Sequence, residues 1–248
     1  MTDNKFPSEM IDLPSKGKLY PKDSPLSEGK IEVKYMTAKE EDILTSQNLI
    51  KKGIVIDRLL DSLIITKGVK SDDLILGDKN AVMVAARILA YGPEYTCKVT
   101  TPNGDTSEQT FNLADCPFKN IDESITENTF DCELPISKTK IKFSLLKGKD
   151  ESMIEKDLQA SKKIGTSVSP ELTTRLRYII KEVDGDDSQS IINQTATNML
   201  ARDSMFLREE LQRVSPDILL EQEIEIGGET VKVDIPMTVG FFWPKTGR

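Results

Sequence analysis

The segment DKNAVMVAARILAYGP, residues 78–93, decides the fold that we predict for the first half of this chain. Asp78 is placed to cap a helix over Lys79–Tyr91, Gly92 to provide its left-handed end, and Pro93 to prevent its continuation. The helix's own side chains are small and apolar on nearly all of its faces. We therefore expect it to be buried at the centre of the N-terminal half.

On the N-terminal side of this helix, the pattern predicts a strand over 31–36 and helices over 38–48 and 54–65. Thr37 and Glu40 have the spacing of a capping box. In such a box the Thr37 hydroxyl accepts the amide of Glu40, and the Glu40 carboxylate accepts the amide of Thr37.

On its C-terminal side, two β-rich runs around a Pro-Asn-Gly-Asp turn at 102–105 predict a hairpin over 94–113. Two more strands are expected near 129–136 and 140–146. The pattern then predicts three helices and a second hairpin, over 150–163, 171–183, 189–214 and 219–235.

These elements predict an α+β fold: a helical N-terminal core with antiparallel β-hairpins, then a mainly helical second half closed by a C-terminal β-hairpin. The expected organisation is an extended N-terminal arm over 1–30, an α+β lobe over 31–148, and a helical lobe with the C-terminal hairpin over 149–248. Leu13, Leu19 and Tyr20 are candidates to anchor the arm on the core.

The composition argues against several classes of function. The 248 residues include 33 basic and 41 acidic side chains, and the net charge of −8 gives no electrostatic reason to bind nucleic acid or an anionic membrane. The chain has no histidine, which excludes Ser–His and Cys–His catalysis. Its three cysteines are widely spaced, which favours reduced, buried thiols over a disulfide framework. We expect no catalytic residue, no cofactor, no metal and no small-molecule substrate.

Two further features indicate a cytoplasmic protein. The first residues lack the basic start and apolar run of a signal peptide, and no apolar stretch is long enough to span a bilayer.

Six stretches of sequence are most informative when taken in order. They are LPSKGKLYP at 13–21, YMTAKEEDILTS at 35–46, LIKKG at 49–53 followed by IDRLL at 56–60, GDKNA at 77–81 running into AARI at 85–88, VDIP at 233–236 and FFWP at 241–244. In this order they resemble the base plate protein family of T4-type contractile-tailed bacteriophages, the baseplate hub assembly proteins. The resemblance is dense over 13–95 and returns over 199–244, whereas 115–190 resemble no family.

The resemblance implies assembly rather than catalysis. It predicts a phage tail baseplate hub protein that binds other hub subunits, with the tape-measure protein as a further candidate partner. Such a protein acts in the host cytoplasm during assembly, and then either stays in the virion tail baseplate or is a transient chaperone absent from the mature particle.

Two alternatives belong to other classes. A histidine-free cell-wall glycosidase would need two carboxylates roughly 5 to 9 Å apart. A zinc-dependent binding module would resemble those family members that carry paired cysteines in the hairpin after the third helix. Here that stretch holds Cys97 alone, and the Asn103-Gly104 turn stands where a metal would sit, so no metal is expected.

The candidate partner-binding residues lie in the resembling segments and include the C-terminal aromatic cluster. For Ile43 and the aromatic side chains, burial in the protein's own core is the alternative. The candidates are Lys16, Leu19, Tyr20, Thr37, Glu40, Ile43, Lys51, Lys52, Phe241, Phe242 and Trp243.

Overall fold

A computed structural model describes residues 6–100, 106–119, 121–163, 169–226, 229–237 and 239–242. Within these ranges the chain forms eight α-helices and antiparallel sheets of short strands, which confirms the predicted α+β class. No helix in these ranges is both long and apolar enough to cross a membrane.

The first half alternates strands and helices. In chain order its elements are β1 (Ser8–Asp12), β2 (Lys30–Lys34), α1 (Ala38–Thr45), α2 (Gln47–Lys51), α3 (Val55–Leu63), α4 (Leu76–Tyr91), β3 (Glu94–Thr100), β4 (Thr106–Asn112), β5 (Phe130–Glu133) and β6 (Lys140–Phe143).

The second half is mainly helical. Its elements are α5 (Gly148–Lys163), α6 (Glu171–Ile179), β7 (Ile180–Val183), α7 (Gln189–Asn198), α8 (Ala201–Val214), β8 (Glu221–Ile226) and β9 (Glu229–Asp234), followed by a 3₁₀ turn over Val239–Phe242. The strands pair as β1-β2, β3-β4, β5-β6-β7 and β8-β9. The turn predicted at 102–105 lies outside the described residues, as do residues 227 and 228 of the second predicted hairpin.

The central position of α4 is confirmed. Ala81, Val82 and Val84 are at most 3% exposed. The helix begins earlier than predicted, with Ile75 as its N-cap, so Asp78 lies in the first turn and is not the cap. Gly92 has a φ of +84°, in the left-handed region that glycine enters without steric cost.

The prediction of an extended arm over 1–30 is wrong for its described part. Residues 8–12 form β1 and pair with β2, with Ile11 opposite Ile31. Leu13 and Leu26 are 1% exposed and belong to the core. A strand of such ordinary β propensity forms because a partner strand is available, which is a tertiary effect.

Two helices predicted in the second half are shorter than expected. The helix predicted over 171–183 ends at Ile179, and the next four residues form β7 at the edge of β6. The stretch predicted as one helix over 189–214 breaks into α7 and α8, because Met199 and Leu200 are extended. Neither glycine nor proline marks this break in the sequence.

The core is continuous across the predicted lobes. Buried side chains from residues 13–146 and from 154–242 form one cluster. The predicted boundary at residue 148 lies inside this packing: Gly148 is the first residue of α5, and a Cβ there would meet the Ser71 carbonyl oxygen at 2.5 Å. The lobe division itself remains a prediction.

Candidate binding surfaces

The segment LPSKGKLYP folds over the start of α4, where buried Asp78 holds it. One carboxylate oxygen of Asp78 accepts the backbone N–H of Ser15 at 2.9 Å, and the other accepts the Ser15 and Tyr20 hydroxyls, both at 2.6 Å. The Tyr20 hydroxyl in turn accepts the N–H of Ile75 at 2.9 Å. Burial raises the pKa of Asp78 against the opposing effect of these hydrogen bonds, and burial beside that carboxylate raises the pKa of Tyr20.

This arrangement corrects two candidate binding residues. Leu19 and Tyr20 are 2% and 6% exposed, so they pack inside the protein and cannot contact a partner on this surface. The anchoring role expected for them is confirmed. Gly17 has a φ of +76° and lies against the Ser27 carbonyl, which explains the glycine in this segment.

Glu40 is a second buried carboxylate, and it joins β2, α1 and α3. It accepts Lys34 Nζ at 2.8 Å, the Thr37 amide and hydroxyl at 3.0 and 2.6 Å, and the Ser62 hydroxyl at 2.7 Å. The Glu40 half of the predicted capping box is therefore present. Burial alone would raise the pKa of Glu40, but the hydrogen bonds from Lys34, Thr37 and Ser62 together lower it to about 2. Glu40 is fully buried and is removed from the candidate binding residues.

The C-terminal aromatic side chains belong to the core. Phe241 and Phe242 are each 1% exposed. The Phe241 ring meets Tyr95 edge-on at 5.0 Å, and the Phe241 carbonyl accepts Nε of buried Arg87 at 2.9 Å. Of the two alternatives for this cluster, the structure favours the core for Phe241 and Phe242. Trp243 lies outside the described residues.

The remaining candidates do not form one surface. Lys16, Lys51 and Lys52 are exposed, whereas Thr37 and Ile43 are half-buried and Ile43 packs against the core. Lys16 is paired with Glu123 at 3.2 Å. Lys52 lines one cleft in the described part of the chain, and Leu19 and Tyr20 line another.

The cleft beside Lys52 is charged, with a volume of about 540 Å³. Two of its carboxylates are already engaged within the protein: Asp57 by Lys79 Nζ at 2.5 Å, and Asp61 by the amide and hydroxyl of Ser71. Side chains of both charges line it, which suits polar contacts with another protein. The charged side chains around the cleft are Lys52, Arg58, Lys70 and Lys156, and Asp57, Asp61, Asp72 and Glu155.

An apolar groove of about 220 Å³, which no sequence motif indicated, lies between the start of α4, residues 145–146, α6 and α8. A Cβ at Gly77 would collide with the Pro216 carbonyl, so glycine allows these two segments to approach closely. The signal that was available is the apolar stripe of Leu172, Leu176 and Ile179 along α6. We call this feature the α6–α8 groove. Its lining is Ile75, Leu76, Gly77, Leu145, Leu146, Leu172, Arg175, Leu176, Ile179, Arg208, Leu211, Ser215 and Pro216.

The cysteines form no site with one another. All three are free; Cys97 and Cys116 are buried, and burial raises the pKa of each thiol. Burial, with Glu210 and Asp131 nearby, raises the pKa of Cys132 to about 11. Such thiols stay protonated at neutral pH and are weak nucleophiles and weak ligands. Among the described residues, no group of three or more His, Cys, Asp or Glu side chains is arranged to hold a metal ion.

No protein-family model matches this chain, and comparisons with curated proteins and with solved structures also found no match.

Proposed function

We propose that this chain is a non-catalytic assembly protein of the tail baseplate hub of a contractile-tailed phage. It binds other hub subunits in the host cytoplasm, and the tape-measure protein is a further candidate partner. The proposal starts from the sequence resemblance over 13–95 and 199–244.

The observation that best supports it is that the resembling segments contact one another. Ser15 and Tyr20 of LPSKGKLYP bind Asp78 of GDKNA, across 63 and 58 positions. Arg87 of AARI binds the carbonyl of Phe241 of FFWP, across 154 positions. Short motifs that depend on each other in this way specify one fold together, which is what a family resemblance over separated segments requires.

The surface also suits a binding role. Large apolar side chains stand exposed on an acidic body, among them Leu172 at 45% and Leu200 at 50%. The charged cleft beside Lys52 and the α6–α8 groove are concave features that another protein can enter.

Quantitative mass spectrometry tests the proposal in cells infected with the phage that encodes the chain. A tagged full-length chain should co-purify with baseplate hub proteins from the lysate. If the chain is also present in purified particles in proportion to baseplate proteins, it is a structural hub component. If it is bound to hub proteins in the lysate and absent from particles, it is a chaperone.

A matched pair of charge reversals tests the Lys52 cleft. Lys51→Glu with Lys52→Glu should lower recovery of the hub proteins several-fold, because attraction at the cleft becomes repulsion. Lys162→Glu with Lys163→Glu, an adjacent exposed pair on α5, should not. The proposal fails if no baseplate protein is recovered with the unaltered chain. Peptidoglycan turnover that a single Asp or Glu substitution abolishes would instead support the glycosidase alternative.

A further inference from the structure

We propose that the α6–α8 groove docks one segment of a partner protein, in which a large apolar side chain lies next to a single carboxylate. The inference rests on the proposed function in so far as it takes the partner to be a protein. It adds the chemistry that the partner presents.

The shape of the groove indicates an anchor side chain. Leu145, Leu146 and Leu176 are buried in its walls, and Leu172 stands 45% exposed at its mouth. A volume of about 220 Å³ is below the range of roughly 300–1,000 Å³ typical of small-molecule sites. It is suited to a single large apolar side chain, the kind of residue that dominates the energy of protein interfaces.

The two arginines that line the groove differ in what they bind. Arg175 donates to both carboxylate oxygens of Glu151, at 2.5 and 3.2 Å, and also pairs with Glu171 at 3.5 Å. Arg208 is exposed, and its Nε donates only a long bond of 3.3 Å to the Ser204 carbonyl in its own helix. Within the described ranges, no carboxylate lies at ion-pair distance from Arg208.

Arg208 is therefore an available cation beside an apolar surface. A guanidinium pairs best with a carboxylate, which it can bind through two parallel hydrogen bonds. The net charge of −8 opposes a strongly acidic partner over longer range. A partner with one Asp or Glu beside the apolar anchor can pair with Arg208 without strong repulsion from the acidic chain. A run of acidic residues would be repelled.

Fluorescence anisotropy with the full-length chain tests this. The probe is a labelled amphipathic helical peptide with leucine on one face and one glutamate beside it. The comparison peptides replace that glutamate with glutamine or the leucines with serine. We expect the glutamate peptide to bind more tightly than the glutamine peptide, and the serine peptide not to bind.

Two variants of the groove have matched controls. Arg208→Glu should weaken binding of the glutamate peptide by about tenfold, which corresponds to about 1.4 kcal/mol, and should change binding of the glutamine peptide much less. Arg202→Glu, on the same helix outside the groove, should change neither. Leu172→Asp should abolish binding, whereas Leu200→Asp should not, because Leu200 is equally exposed and sits at an N-cap where Asp is favoured. If Leu172→Asp does not fold, Leu172→Gln replaces it.

The outcomes separate this proposal from the proposed function. Equal binding of the glutamate and glutamine peptides, or equal effects of Arg208→Glu and Arg202→Glu, would overturn the role of Arg208. Displacement of the peptide by dodecanoate would assign the groove to a fatty acid instead of a protein segment. If no peptide binds while hub proteins still co-purify with the chain, the groove proposal fails and the proposed function stands. If a peptide binds as expected but no hub protein is recovered, the proposed function fails alone.

Discussion

At the scale of single residues, three buried charged side chains connect segments that are far apart in the sequence. Asp78 holds residues 15 and 20, Glu40 holds Lys34 and Ser62, and Arg87 holds Phe241. A buried charge is tolerated only when hydrogen bonds replace its lost water. Removing one partner of any of these groups should therefore lower the free energy of unfolding by more than one hydrogen bond contributes.

Tyr20→Phe should destabilise the protein by about 2 kcal/mol, because it removes a donor to Asp78 and leaves the buried N–H of Ile75 without its acceptor. Chemical denaturation at neutral pH measures the change. Tyr35→Phe is the control: the Tyr35 hydroxyl makes one exposed bond of 3.3 Å to Glu9, so its removal should cost far less. Equal losses in the two variants would contradict the role given to Tyr20.

Glu40→Gln should cost about 3 kcal/mol at neutral pH, because it leaves Lys34 as an uncompensated, largely buried charge. The pKa of Glu40 in the folded state, about 2, lies below its ordinary value of 4.5. Its contribution to stability is therefore complete above the ordinary value and is lost as the pH falls from about 5 towards about 2.

Chemical denaturation at several pH values across this range gives the free energy of unfolding. This free energy should fall more steeply with decreasing pH for the unaltered chain than for Glu40→Gln. The exposed neighbour Asp42 provides the comparison, and Asp42→Asn should keep the steep fall. A slope in Glu40→Gln as steep as that of the unaltered chain would show that other carboxylates carry the acid sensitivity.

At the scale of elements, prediction succeeded where the signal was local. The helix α4 and the hairpin of β3 and β4 have their own periodicity and breakers in the sequence, and both form close to the expected ranges. The strands β1 and β7 and the break between α7 and α8 have no such local signal. The two strands depend on partners elsewhere in the chain, β1 on β2 and β7 on β6, and local patterns do not encode such partners.

Phe242→Ala should lower stability by about 4 kcal/mol, because it opens a cavity where the C-terminal 3₁₀ turn packs on the core. Thermal denaturation measures this. Phe6→Ala is the matched control, because Phe6 is 54% exposed and should cost much less. If Phe242→Ala keeps the melting temperature but loses binding to hub proteins, Phe242 is an interface residue and not a core residue.

At the scale of the whole molecule, the candidate binding residues show what a single sequence can reveal. Several residues chosen as candidate partner contacts make internal contacts instead, because buried and interface residues share the same chemistry. The α6–α8 groove was missed because four separate segments of the chain build it. A surface made by tertiary packing has no contiguous sequence pattern.

The continuous core predicts cooperative unfolding. Because buried side chains from both predicted lobes form one cluster, we expect a single transition in differential scanning calorimetry, with equal calorimetric and van't Hoff enthalpies. Two resolved transitions would instead mean that residues 31–148 and 149–248 unfold as independent lobes.

The bond from Arg87 to Phe241 has a consequence for synthesis on the ribosome. The guanidinium of Arg87 is made 154 residues before the carbonyl that it binds. Until that carbonyl leaves the exit tunnel, Arg87 can bind only the nearby Gly92 and Glu94 carbonyls, and the core lacks Phe241 and Phe242. Contacts between residues so far apart in the sequence form late and slowly during folding. This contact therefore forms only after the ribosome has made all the residues between Arg87 and Phe241, and the nascent chain has to avoid aggregation during that time.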